Sequence, residues 1–139
     1  MSGKSFVDTN ILLYSYDANA GSKRDIATRV LRGLWEDRTG TLSAQVLQEF
    51  YVNSTRKMPK PLTPAQAQMV AEEYLPWCVS PSLLDVTAAM RIAQENMLDY
   101  WDALLVAAAA RSGAERLLTE DLNHNQRVAG VLIVNPFLK

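Results

Sequence analysis

Thiols and imidazoles are nearly missing from this chain. Cys78 is its only cysteine and His124 its only histidine, so an internal disulfide and a thiolate zinc site are both excluded. A Ser-His-Asp relay would have to run through that single imidazole, which reads as a loop residue. One unpaired cysteine fits a reducing compartment. The longest apolar run, Ala103 to Ala110, is far short of the roughly 20 residues that span a bilayer. The first residues also lack the apolar core of a secretion signal, which makes the cytoplasm the expected location and a membrane partner unexpected. Charge of either sign is not in excess: 14 Lys and Arg against 15 Asp and Glu give −1, and bulk charge therefore announces no nucleic-acid binder. Gly3-Lys4-Ser5 resembles the end of a phosphate-binding loop, but it precedes a strand and lacks the upstream glycine.

What is present is the composition of an ordinary globule, 48% hydrophobic and 21% charged. At 139 residues the expectation is one domain, 1–139, burying about two-thirds of its unfolded surface. Apolar residues alternate between strand and helix signatures. Strands are expected at Ser5 to Asp8, Thr41-Leu42, Trp77 to Val79, Arg116 to Thr119 and Val131 to Val134. Helices are expected after Asp8-Thr9-Asn10, from about Ser22 to Arg38, after Ser43, from Thr63 to about Leu75, from Ser82 to about Glu95, and from Asp99 to Gly113. Thr63-Pro64-Ala65-Gln66 is the clearest start signal, with a cap, a proline in the first turn and a capping-box glutamine. Such alternation predicts an α/β fold with a parallel sheet covered on both faces.

Four acids stand out against this pattern. Phe6-Val7-Asp8 and Leu117-Leu118-Thr119-Glu120-Asp121 are apolar strands ending in acid, while Glu49 and Asp102 lie on amphipathic helices. In open parallel sheets ligands bind beyond the carboxyl ends of the strands, where strand order reverses. Carboxylates gathered there without a cation repel one another. A hard divalent ion such as magnesium or manganese removes that repulsion, keeps waters and leaves room for a phosphate oxygen. Phosphodiester hydrolysis is the chemistry such a site serves. With the four acids set aside, 14 positive charges face 11 negative. Arg24, Arg29, Arg32 and Arg38, and then Arg56, Lys57 and Lys60, are available for phosphate contacts.

Each acid also has a plainer reading. Asp8 caps the following helix, Asp99 and Asp102 make a cap and its first-turn partner, Glu49 is an exposed helical glutamate, and Asp121 is a turn residue. Among the aromatics, Trp101, Trp77, Tyr14 and Tyr51 are available to stack on bases, though core packing is the expectation for most of them; Tyr14 and Tyr16, near the first motif, are the better candidates for stacking.

Four segments in order, Phe6-Val7-Asp8-Thr9-Asn10-Ile11-Leu12, Gln48-Glu49-Phe50, Asp99-Tyr100-Trp101-Asp102-Ala103 and Thr119-Glu120-Asp121, together with Asn135-Pro136-Phe137, resemble the PIN-domain nucleases and, within them, the toxins of VapC-type toxin–antitoxin pairs. The resemblance covers nearly the whole chain. It implies a three-layer α/β/α fold with about five parallel strands and a protruding helical pair. It further implies a magnesium- or manganese-dependent endoribonuclease, a homodimer, and an antitoxin whose tail covers the acidic groove. By motif, Asp8 and Asp102 become metal ligands, Asp121 a ligand directly or through water, and Glu49 the residue that orients or deprotonates the attacking water; Asn10 and Thr119 support them. Many relatives carry a further acid where this chain has Asn123, which removes one ligand from a second metal site. Two other classes fit parts of the pattern: an aspartate-based phosphotransferase, and a catalytically inactive RNA- or protein-binding module. The first wants an acid two residues after Asp8, where Asn10 stands, and a lysine near the last strand. The second retains the fold but not the chemistry.

Overall fold

Successive side chains of a strand point to opposite faces, so a strand with no exposed residue is covered on both sides. That is the state of β1 (Ser5–Val7), in which Phe6 and Val7 are both fully buried. The structure, a computed structural model, describes residues 3–138. It places β1 in a five-stranded sheet ordered β2-β1-β3-β5-β4, formed with β2 (Gly40–Thr41), β3 (Arg116–Leu118), β4 (Arg127–Val128) and β5 (Val131–Val134). All neighbours are parallel except β4, which runs antiparallel to β5.

Two helices, α1 (Thr9–Tyr16) and α2 (Ser22–Asp37), carry the chain from β1 to β2. Four more, α3 (Ala44–Arg56), α4 (Pro64–Tyr74), α5 (Leu84–Asn96) and α6 (Tyr100–Arg111), lead to β3 on the other side of β1. The strand order therefore reverses between β1 and β3. Helix α1 packs on α2 and α3, and α6 packs on α5 and against β3 and β5, completing the expected α/β/α layering. The helical pair α3 and α4 is fixed at its turn by the expected capping box: Thr63 Oγ1 accepts from the Gln66 N–H at 3.1 Å, and Gln66 Oε1 accepts from the Thr63 N–H at 3.0 Å. Helix α6 buries Ala103, Ala107, Ala108 and Ala109, small side chains that let its axis lie close to the sheet. Gly113, at φ 78°, follows its last turn. Among the described residues no helix is long and apolar enough to cross a membrane.

The sheet differs from expectation in one respect. Trp77 to Val79 contributes a single parallel bridge, Leu42 to Cys78, because Leu75–Trp77 continues α4 as a 3-10 turn around Pro76. The fifth place is taken instead by β4, joined to β5 through Ala129 and Gly130 at φ 50° and 81°, the positive angles of a tight hairpin turn. Helix starts differ as well: Ser43 occupies the cap position of α3 without making a capping bond, and Gly21 rather than Ser22 precedes α2.

Glycine 40 sits in β2 under the Trp77 ring, where an added Cβ would lie 2.5 Å from ring carbons. That ring is held against Trp35 and Tyr74, at centroid distances of 4.6 and 4.9 Å, and has little freedom to swing away. Gly40→Ala is expected to lower stability by about 1–3 kcal/mol. Gly33→Ala, in the interior of α2 where nothing lies within 4 Å of the added carbon, is expected to raise it by about 0.5–1 kcal/mol. Thermal unfolding of the two variants should shift in opposite directions.

Candidate active site

Pairing of β1 with β3 sets Val7 opposite Leu118, so the residues that follow each strand emerge side by side. The Asp8 N–H continues the ladder to the Leu118 carbonyl at 3.0 Å. Asp8 is only 4% exposed. It caps α1, with Oδ1 accepting from the Thr9 N–H at 2.6 Å, and Oδ2 accepts from the Thr119 hydroxyl at 2.7 Å. Thr119, itself fully buried, accepts in turn from the Asp121 N–H at 3.0 Å. Asn10 Nδ2 donates to Asp121 Oδ2 at 3.1 Å and reaches Asp8 and Thr119 at 3.4 Å. The capping role and a site role thus coexist in Asp8.

Helices α3 and α6 supply the other two acids. Glu49, half-buried on α3, accepts from the Thr9 hydroxyl at 3.4 Å. Asp102 lies in the first turn of α6, where Asp99 is the cap and accepts from the Asp102 N–H at 2.9 Å. All four carboxylates line one cavity of about 150 Å³, into which no lysine, arginine or histidine projects. The structure therefore brings Asp8, Glu49, Asp102 and Asp121 to one place, with Asn10 beside them and Thr119 bonded to Asp8.

Burial and mutual repulsion show in the titration of the group. Burial, reinforced by Asp121 and Glu49 and only partly opposed by the bonds from Thr119 and Thr9, pushes Asp8 up to about 7. Asp102 is pushed up to about 6, by burial first and then by Asp99, Asp121 and Glu49. Glu49 also rises, through burial above all. Two residues lining this cavity, Asn10 and Gln45, each have a buried amide oxygen without a hydrogen-bond partner. An all-oxygen donor set with unpartnered acceptors suits a hard cation with its waters. Among the described residues no three His, Cys, Asp or Glu side chains stand close enough together to hold a metal ion.

Elsewhere the chemistry is self-neutralised. A larger groove of about 430 Å³ between α3, α5 and α6 contains Asp85 and Arg111, paired at 2.7 Å. His124 Nδ1 accepts from the Asn135 N–H at 3.0 Å and ties the loop after β3 to the tail. Tyr14 and Tyr16, favoured above for stacking, do not line the acidic cavity. Tyr14 donates to Glu120, which Lys23 also holds at 2.9 Å, and its ring meets Phe137 edge-on; Tyr16 packs on Phe50. Trp101, for which stacking and core packing were both open, is 63% exposed at the cavity rim. Sequence reasoning also passed over Gln45 and Asn53. Their spacing of four residues on either side of Glu49 is the signal that places them on its face of α3.

The raised values fix how metal-free stability responds to pH. Asp8 keeps its proton to about pH 7 when folded but loses it near 3.8 when unfolded, so the folded state binds more protons between these values. Its contribution is fully present below about pH 4 and is lost as pH rises through 7. In chelator, the melting temperature should fall between pH 5.5 and 8. Asp8→Asn should raise it by several degrees at pH 8 and flatten that dependence; a wild-type curve that climbs over this range would contradict the burial argument.

Comparison with known proteins bears on the fold and the family. No curated protein sequence matches the chain. Among solved structures, a toxin-antitoxin complex from Klebsiella pneumoniae is similar at TM-score 0.69 and 20% identity, covering 96% of this chain and 98% of that one. VapBC2 from Rickettsia felis, bound to a promoter DNA fragment, is similar at TM-score 0.62 and 18% identity, covering 93% and 96%. FitAcB from Neisseria gonorrhoeae is similar at TM-score 0.62 and 16% identity, covering 96% and 98%. At these identities the likeness is one of fold. The sequence profile of the PIN domain, however, matches residues 5–130, a span within which all four acids fall: the chain belongs to the PIN domain family.

Proposed function

We propose that the chain is a metal-dependent endoribonuclease, a single catalytic domain over 1–139, acting in the cytoplasm as the toxin of a toxin–antitoxin pair and forming a homodimer. One observation carries the catalytic part: four carboxylates from four separated segments line one small cavity with no basic side chain among them. Nothing in an ordinary fold requires such a cluster, and its raised proton affinity is a cost to the metal-free protein. Family membership supports nucleic-acid hydrolysis, and the likeness to chains in toxin-antitoxin complexes supports the antitoxin partner.

Asp8 and Asp102 are the residues that would hold magnesium or manganese, with Asp121 a ligand directly or through water. When bound, the ion supplies charge to polarise the scissile phosphate and to offset the negative charge gathering on the leaving oxygen. Glu49, whose surroundings make it a better proton acceptor than an ordinary glutamate, orients a water and takes its proton as the water oxygen attacks phosphorus. The P–O bond to the departing nucleoside breaks, and that oxygen takes a proton from solvent. Thr119 and Asn10 keep Asp8 and Asp121 in place through the bonds described above. Thr9 does the same for Glu49.

Labelled RNA should be cleaved in millimolar magnesium or manganese and left intact in chelator. Glu49→Gln should lower kcat by roughly 10²–10⁴-fold, and Asp102→Asn should abolish cleavage while circular dichroism stays native. Cleavage that persists equally in chelator would sink the proposal. Magnesium or manganese should also raise the melting temperature, and Asp8→Asn should blunt that rise. Host cells should tolerate expression of Asp8→Asn better than that of the unmodified chain.

A further inference from the structure

Glu120 and Asp121 are consecutive acids on the segment after β3, where residues 120–122 belong to no helix or strand. Only Asp121 lines the acidic cavity; Glu120 turns toward α1 and α2. Regular structure does not dictate that choice, and electrostatics opposes it. The charge of Asp121 adds to the rise of both Asp8 and Asp102, a repulsion that acts equally on Asp121 itself. Asp121 is exposed, and among the described residues the one side-chain donor to it is Asn10, at 3.1 Å.

Glu120, by contrast, is gripped from three segments. The Tyr14 hydroxyl of α1 donates to its Oε1, and Lys23 Nζ, from the first turn of α2, donates to its Oε2 at 2.9 Å. The same ammonium lies 5.0 Å from the centre of the Tyr14 ring and 5.7 Å from that of Phe137, close enough for the ring faces to attract it. The two rings meet edge-on at 5.2 Å. Phe137 is itself tied into the tail after β5, its N–H donating to Asn135 Oδ1 at 2.9 Å. Consecutive Cα atoms are about 3.8 Å apart across a planar peptide, so seating one side chain of the pair fixes where the next one leaves the backbone.

Resting on the reading of the cavity as a cation site, we propose that Tyr14, Lys23 and Phe137 form a socket that seats Glu120 and thereby selects Asp121 as the acid presented to the cavity. Glu120, Tyr14 and Lys23 are positioning residues, acting through Asp121. The socket has a signature of sign. A fixed positive charge near a cation site weakens it, so removing Lys23 for its charge alone would tighten the binding of a divalent ion. Removing it as part of the socket frees the turn to yield to repulsion, and binding weakens.

The test follows manganese binding to the full chain without RNA, read from the electron paramagnetic resonance of the free ion. Lys23→Met, which keeps an apolar stem and removes the charge, should weaken binding roughly tenfold, and Lys23→Arg should keep most of it. Tyr14→Phe alters no charge and should also weaken binding. The melting temperature in chelator should move little in Lys23→Met, since an exposed ion pair contributes little to global stability. In the metal-free protein, nuclear magnetic resonance should show the order parameters of the Glu120 and Asp121 amides falling from about 0.85 to about 0.6 in Lys23→Met. Unchanged or tighter manganese binding in Lys23→Met overturns the socket and leaves the cation site standing. An unmodified chain that binds no manganese, with both amides loosened in Lys23→Met, upholds the socket as the holder of the turn and removes the cation reading. Amides that stay ordered without Lys23 overturn the socket whatever the ion does.

Discussion

The hydrogen bond from the Thr119 hydroxyl to Asp8, at 2.7 Å between residues 111 apart in sequence, is the contact on which the site depends. It forms because β1 and β3 are adjacent, and they are adjacent because their apolar side chains leave neither face of the sheet free for solvent. Hydrophobic burial thus drives a carboxylate into a place where it is poorly solvated. Two good hydrogen bonds offset only part of that cost, and the shortfall appears as an acid that holds its proton to near neutrality. The fold tolerates this because the rest of the sheet is conventional.

Relief comes from the ends of two helices. Asp8 is the cap of α1 and accepts from its Thr9 N–H, and Asp102 lies in the first turn of α6 beneath the Asp99 cap; both acids thus sit at the positive end of a helix dipole. This fixed field lessens the repulsion without cancelling it. Its sign also favours an approaching phosphate, so the surroundings that make the acids tolerable also suit a polyanionic substrate.

Some of this was legible in the chain and some was not, for reasons that lie in particular residues. Asp8 and Asp121 could be placed because each follows an apolar run too short for a helix, and a parallel sheet has only one rim where such ends gather. Thr63 to Gln66 could be placed because the capping box is a purely local device. The β4 hairpin escaped notice because its turn is Ala129-Gly130, without the asparagine or aspartate that marks most two-residue turns. Trp77 to Val79 has strand-forming residues, but Pro76 spends the approach in a 3-10 turn and leaves room for one bridge. The place of Trp101 stayed open because residue type argues for burial, whereas its position in the first turn of α6 turns it outward. Local sequence cannot say which face of that turn the neighbouring helix leaves uncovered.

Helix α6 ends the chain of dependence. Four alanines hold its axis near the strands, and an interior packed without voids gives a helix no slack in which to tilt. Asp102 is thus aimed from behind, by methyl groups that never meet the acids. Ala109, seven residues farther along and roughly 10 Å away, acts as a shim: a valine there would lift the whole rod and withdraw a carboxylate it does not touch. The position of the acid at the tip of the helix is therefore constrained as much by the smallest side chains beneath it as by the residue that carries the charge.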